Sequence, residues 1–366
     1  MSVVVAKVGS STLVDGAGRV RLDVLEMRVA DLARVARLGH RPVLVSSGAI
    51  ACGFAPLGFP ARPTALEDLQ AASAVGQGIL FRHYQEAFAR HGITPAQVLL
   101  TSDDIAGRAT YLNARTTLTR LVELGAVPVV NENDTTATDE VTFGDNDVLA
   151  AQVAVLLGAT WLVLMTDRDG LYGVGDDGSP VLLGDVRSDV GPEGVALAPL
   201  GGGSALGRGG VSSKIGAAAM AVGAGITTVV ASGSDPDVVS TVTHGGSVGT
   251  RFRPRAQREP AFKLWLRHAK PSRGRVAVDD GAARALRVKG RSLLAVGVTG
   301  ASGAFTVGDA VDVVGASGEP VGKGIAAMSR ADVDAVRGLS SAAIAARGLM
   351  LPAEVIHRDR FVLVEG

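Results

Sequence analysis

The chain has 366 residues, enough for two domains of ordinary size. Hydrophobic residues make up 47% and charged residues 20%, the balance of a soluble protein with a sizeable core. Lys plus Arg and Asp plus Glu both number 36, so the formal net charge is zero, which argues against a chain built to coat nucleic acid or an anionic membrane. The single cysteine, Cys52, excludes an intrachain disulfide and a Cys-based zinc site, and reads as a small buried filler. The opening MSVVVAKVGSST lacks the basic and long apolar regions of a signal peptide. No stretch approaches the roughly 20 uninterrupted apolar residues of a membrane helix. A cytoplasmic location is expected.

Short β-branched runs alternate with helical patterns. Strands are predicted at Val3–Val8, Pro42–Ser46, Gln97–Thr101, Val127–Asn131, Trp161–Thr166 and Thr227–Ala231. Helices are predicted at Leu22–Leu38, Ala65–Arg90, Ala114–Leu124, Asn146–Leu156 and Ser213–Gly223. Leu22, Leu25, Val29, Leu32 and Val35 keep the spacing of one buried helix face. Such alternation implies crossover units and a mostly parallel sheet covered on both sides. Ligands then bind beyond the carboxyl ends of the strands. Near residue 255 the pattern changes. The Arg- and Pro-rich stretch 256–271 reads as a linker between a domain over 1–255 and a small β-rich domain over 272–366. Strands are predicted there at Arg275–Val278, Leu293–Val296, Val311–Val314 and Val321–Ala326.

The polar residues after each strand are the ones to inspect. The first strand ends in Lys7-Val8-Gly9-Ser10-Ser11, which suits a phosphate site and equally an ordinary turn. The second ends in Ser46-Ser47-Gly48-Ala49, an anion nest or a plain helix cap. The fourth runs into Asn131-Glu132-Asn133-Asp134, followed by Phe143-Gly144-Asp145-Asn146-Asp147 at a helix start. Capping accounts for one of these residues but hardly for two such clusters, so ligand or metal binding is expected. The fifth ends in Thr166-Asp167-Arg168-Asp169-Gly170, neutral when taken alone because Asp-Gly is a turn dipeptide. Gly207 to Lys214, GRGGVSSK, opens a helix as a plausible phosphate cradle without matching GxxxxGK[ST].

Lysine usage sharpens this reading. The lysines are Lys7, Lys214, Lys263, Lys270, Lys289 and Lys323, and the remaining basic side chains are arginine. Before Phe262 only Lys7 and Lys214 occur, one in each candidate phosphate loop. A compact ammonium on a flexible stem does what Arg's planar fork cannot. Both lysines are therefore candidates to contact a transferring phosphoryl group.

Taken together, KVGSS, SSGAIACG, LQAASAVGQ, NENDTTATDEVTFGDND, TDRDGLY and GRGGVSSK resemble, in order, the amino-acid kinase family, and within it the glutamate kinases. The tail GRVAVDDGAARAL to HRD resembles a PUA domain. The resemblance implies a three-layer α/β/α sandwich with a mostly parallel sheet, plus a small β-rich PUA-like barrel. It also implies ATP-dependent phosphorylation of the glutamate side-chain carboxylate, the first step of proline biosynthesis, with Mg2+ accompanying ATP. By motif position, Lys7 and Lys214 would contact the ATP phosphates, and Asp147 would help organise the lysines or the metal. Ser47, Asp134 and Asn146 would bind glutamate. Thr166, Asp167 and the loop Arg208, Gly209, Gly210, Val211, Ser212, Ser213 and Lys214 would surround ATP. No residue is assigned as a metal ligand.

The family loop usually reads GTGGMxTK or GTGGMxSK, so Arg208 and Val211 depart from it on the nucleotide side. Proline is the expected feedback inhibitor, and a homo-oligomer is expected. Two other readings stand beside this one: a relative acting on another acid, and a PUA-type RNA-binding protein. The NEND and GDND pairing favours glutamate. The neutral charge and the larger first domain count against RNA. The basic cluster Arg284, Arg287, Lys289 and Arg291 reads as a solvated helix face.

Overall fold

The computed structural model describes all residues except 1, 102–103, 106, 137–145, 188–189, 193, 199–209 and 365–366. The chain divides into two units, Met1–Ala261 and Phe262–Gly366. Strands of the first are β1 (Val3–Val8), β2 (Arg41–Ser46), β3 (Pro95–Leu100), β4 (Val127–Glu132), β5 (Trp161–Thr166), β6 (Tyr172–Val174), β7 (Pro180–Leu182), β8 (Asp185–Val186), β9 (Thr227–Ser232) and β10 (Thr250–Phe252). Eight form one sheet in the order β3-β4-β2-β1-β5-β9-β10-β8, and β6 pairs with β7 as a separate hairpin. The six long strands run parallel, with β10 antiparallel to β9. Parallel strands covered on both faces are continuous apolar runs, which is why the inner strands β1, β2, β4, β5 and β9 are legible in the sequence; β3, at the sheet edge, is mostly unburied.

Side chains alternate across each strand. Val4, Ala6 and Val8 of β1 pack with Leu44, Val129, Val163 and Val229 against helices Leu22–Arg37 and Leu66–Ala89. Val5, Val43, Leu162, Leu164 and Val230 are buried on the opposite face. Helices Arg108–Glu123, Asn146–Leu157 and Val211–Gly223 cover that face. The result is an α/β/α sandwich with β1 inside the sheet.

Short helices with no counterpart among the predicted ones include Ser10–Leu13, Ala49–Gly53, Val238–Thr243 and Ala261–His268, and, in the second unit, Arg330–Val336 and Ser341–Ala346. Elements of four to eight residues span one or two turns and carry too little periodicity to announce themselves. Helix Ala49–Gly53 crosses Leu66–Ala89 backbone to backbone. A Cβ on Gly53 would fall 1.8 Å from the Ala72 carbonyl oxygen, and one on Gly76 would fall 1.8 Å from that of Ala49. Only glycine fits at either position.

The second unit folds around a six-stranded mixed sheet: β11 (Ser272–Val278), β12 (Leu293–Leu294), β13 (Val298–Gly303), β14 (Ala310–Val314), β15 (Pro320–Ala326) and β16 (Glu354–Leu363). Their order is β12-β16-β15-β14-β11-β13. Val276, Val311, Val313, Ile356 and Phe361 belong to its own core. The stretch read as a linker is structured. Glu259 donates its backbone N–H to the carbonyl of Gly223, and Leu264, Trp265 and Leu266 of the following helix are buried. Arg284, Arg287, Lys289 and Arg291 are exposed. No helix among the described residues is long and apolar enough to cross a membrane.

Candidate active site

Strand alternation decides where Lys7 points. It follows Val5 onto the face covered by helices Asn146–Leu157 and Val211–Gly223. Its Nζ lies 2.7 Å from Asp147 Oδ1. From the first turn of the other helix, Lys214 Nζ donates to Asp147 Oδ2 at 2.9 Å. One carboxylate thus holds two ammonium groups, one per oxygen. Asp147 is fully buried and both lysines are buried beside it. Burial by itself would push the Asp147 carboxyl up, but the neighbouring charges of Lys7 and Lys214 overrule it and hold the group below its usual range. Asp147 also sits in the first turn of its helix, where the backbone dipole favours an anion.

Next to this cluster a pocket opens, lined among others by Ser10, Ser47, Gly48, Asn131, Asp134 and Asn146. Gly48, with φ at 117°, occupies the left-handed region as the chain turns from β2 into helix Ala49–Gly53. Asn146 Nδ2 donates towards Ser47 Oγ (2.7 Å), Asn131 Oδ1 (2.8 Å) and the Ser46 carbonyl (2.9 Å). Its Oδ1 is buried without a hydrogen-bond donor among the described residues. Asn131 in turn donates to Gln77 Oε1 at 2.8 Å. Ser73 donates to Asp134 Oδ2 at 2.6 Å. Burial raises the Asp134 carboxyl above its usual range, against the pull of Ser73 and of the positive charge on Arg62.

Residues 2–232 match the amino acid kinase family, and residues 274–347 match the PUA domain. The chain belongs to the amino acid kinase family. It is 45% identical over 364 residues to glutamate 5-kinase of Cutibacterium acnes, a match covering 99% of this chain and 92% of that one. To glutamate 5-kinase of Frankia casuarinae it is 44% identical over 364 residues, covering 99% and 96%. Among solved structures, carbamate kinase from Giardia lamblia bound to AMP-PNP aligns at 15% identity and a TM-score of 0.47, covering 69% of this chain and 98% of that one.

In this kinase unit the residues singled out by motif separate into groups. Lys7, Asp147 and Lys214 form one cluster, and Ser47 and Asn146 are joined by a hydrogen bond at the pocket. Asp134 lines the same pocket. Thr166 and Asp167 stand at the end of β5, where Thr166 Oγ1 donates to Asp167 Oδ1 at 3.0 Å. Gly210 precedes helix Val211–Gly223, whose first turn holds Val211, Ser212, Ser213 and Lys214. Arg208 and Gly209 lie outside the described residues, as do Phe143, Gly144 and Asp145. Ser73, Gln77 and Arg62 received no role from the sequence. Ser73 and Gln77 lie four residues apart around Gly76, so they share a helix face, and polar side chains on a buried face were the available signal.

Proposed function

We infer that the protein transfers the γ-phosphoryl group of ATP to the side-chain carboxylate of L-glutamate, giving L-glutamyl 5-phosphate and ADP, the first step towards proline. The observation that carries the reading is Asp147 gripping Lys7 and Lys214 beside a pocket with buried Asp134 and Asn146. Relatives called glutamate 5-kinase, alike over nearly the whole chain, support the choice of acid.

A carboxylate nucleophile has an ordinary pKa near about 4.3 and is ionised at neutral pH, so no general base is required. Its oxygen bonds to phosphorus as the bond from phosphorus to ADP breaks. The electron pair leaves with ADP and no proton moves. The barrier is repulsion between two anions, about 4 kcal/mol for unit charges 4 Å apart at an effective dielectric of 20. Lys7 and Lys214 offset it from positions set by Asp147, so the charges need not reorganise during reaction. Asp134 receives the substrate's α-ammonium. The Ser47-Gly48-Ala49 turn faces its α-carboxylate. Thr166, Asp167 and the segment ending at Lys214 line the nucleotide.

Magnesium bound with ATP would screen its phosphates. Asp147 is already occupied by two ammonium groups, and no cluster of three or more metal-ligating side chains exists among the described residues. No step is assigned to a metal ion. Proline shares glutamate's α-amino and α-carboxylate groups and competes for the Asp134 pocket. Assembly into a homo-oligomer is part of the same proposal.

ADP release tests the reading. With Mg-ATP the protein should respond to L-glutamate and far less to aspartate or N-acetylglutamate. Equal turnover of aspartate, or no response to glutamate, refutes it.

A further inference from the structure

Helix Leu22–Arg37 buries charge as well as apolar surface. Arg28 and Asp31 lie three residues apart, and so share a face. They are 0% and 1% exposed. Arginine is seldom wholly buried, because its charge must find partners away from water. Here the partners lie on the segment that follows β9. Arg28 Nη2 donates to the backbone carbonyl of Asp235. Its Nη1 lies 3.6 Å from Met165 Sδ on β5 and 3.9 Å from Asp31 Oδ2. Asp31 accepts the backbone N–H groups of Val239 and Ser240 at 2.8 and 3.1 Å, satisfying the start of helix Val238–Thr243. Arg34, farther along the same helix, pairs with Asp237. One helix thus holds the segment at three points.

The start of that segment meets the site. Gly233 donates its N–H to the Thr166 carbonyl at 2.7 Å. A methyl group on Gly233 would stand 3.3 Å from that oxygen and 3.2 Å from Thr12 Cγ2. Gly233 is therefore wedged between the end of β5, which carries Thr166 and Asp167, and helix Ser10–Leu13, which follows the Lys7 turn. Stability alone is a poor reason to bury an arginine there, since apolar replacement of buried ion pairs is often neutral or stabilising. Holding one backbone conformation is a better reason.

We propose that Gly233–Asp235 form a further wall of the nucleotide site and that Arg28 is the positioning residue that sets this wall. The proposal rests on the kinase reading only for where ATP lies. ATP affinity measured by calorimetry without glutamate, then KM for each substrate, tests it in the full chain. Arg28→Met should weaken ATP by about tenfold, the effect of losing one hydrogen bond from a charged donor, with KM for glutamate within about twofold of wild type. Arg28→Lys, which still donates to the Asp235 carbonyl, should recover much of that loss. Gly233→Ala leaves Arg28 in place but presses on Thr12 and Thr166, and should give the same ATP-selective defect. A general folding defect would lower active enzyme and kcat without separating the two substrates, and that outcome overturns the proposal. If Arg28→Met does not fold, Gly233→Ala decides, and unchanged ATP affinity there overturns it. A wild-type protein that binds ATP but ignores glutamate refutes the glutamate assignment alone; one that does not bind ATP refutes both.

Discussion

Replacing Asp147 by Asn keeps the shape of the side chain and removes its charge. At 2.7 and 2.9 Å each ammonium is attracted to the carboxylate by about 6 kcal/mol at an effective dielectric of 20. Most of that gross attraction offsets the desolvation of three buried ions. The net loss on removing one member of a buried pair is about 3–5 kcal/mol. Set against a typical stability of about 5–15 kcal/mol, Asp147→Asn should remain folded but weakened. The midpoint of thermal unfolding should fall by about 10 °C, at about 2–4 °C per kcal/mol for a domain of this size. ATP phosphates supply part of the missing negative charge, so Mg-ATP should raise the Tm of the variant more than that of wild type. Acid behaviour should change as well. The Asp147 carboxyl titrates below its ordinary range in the folded protein. Its stabilisation is therefore present above the ordinary carboxylate pKa and lost as pH falls through the lowered value. That loss should be missing from Asp147→Asn. kcat should drop by about 100-fold as the lysines lose their alignment. Thermal scans with and without Mg-ATP, alongside ADP release, measure all of this. A variant with wild-type Tm and kcat would refute the reasoning.

Lys7→Ala and Lys214→Ala should each lower kcat in the ADP-release assay by about 100-fold or more, and the Arg replacements should rescue poorly because the wider fork misplaces its charge. Asp134→Ala should chiefly raise KM for glutamate, with ATP affinity little changed and proline inhibition weakened, as initial-rate kinetics in each ligand would reveal. Because burial holds the Asp134 carboxyl above its usual range, glutamate KM should begin to rise at a higher pH on acidification than an ordinary carboxylate would cause, and Asp134→Asn should flatten that profile. Gly76→Ala, whose methyl would meet the Ala49 carbonyl, should push helix Ala49–Gly53 and its turn aside, lowering Tm and raising KM for glutamate more than KM for ATP.

The inner strands of the parallel sheet are readable because each is a short run rich in Val and other apolar or β-branched residues. Lys7 and Lys214 stood out through the scarcity of lysine, a signal independent of periodicity. That both reach the same carboxylate depends on which sheet face each helix covers, and spacing does not encode this. The roles of Ser73 and Gln77 emerge only from the glycine-to-glycine crossing that brings their helix against the β2 turn. Arg28 was invisible for a related reason: inside an amphipathic pattern an arginine reads as solvent-facing, and its burial follows from partners more than 130 residues away in sequence. The stretch 256–271 looked like a connector because Pro and Arg interrupt it, although a helix of eight residues with three buried side chains lies within.

The register of β1 carries a further consequence. Lys7 is aligned with Val45 on one side and Leu164 on the other, hydrogen-bonded into the sheet between two neighbours. Sliding this strand by a single residue would exchange its two faces. The ammonium would then enter the apolar layer packed on Leu22–Arg37, and an alanine or valine would confront Asp147. Length changes within Val3–Lys7 are thus forbidden twice over, by the core and by the chemistry. Anyone redesigning this enzyme can vary the apolar residues around Lys7, but neither Lys7 itself nor the number of residues in the strand.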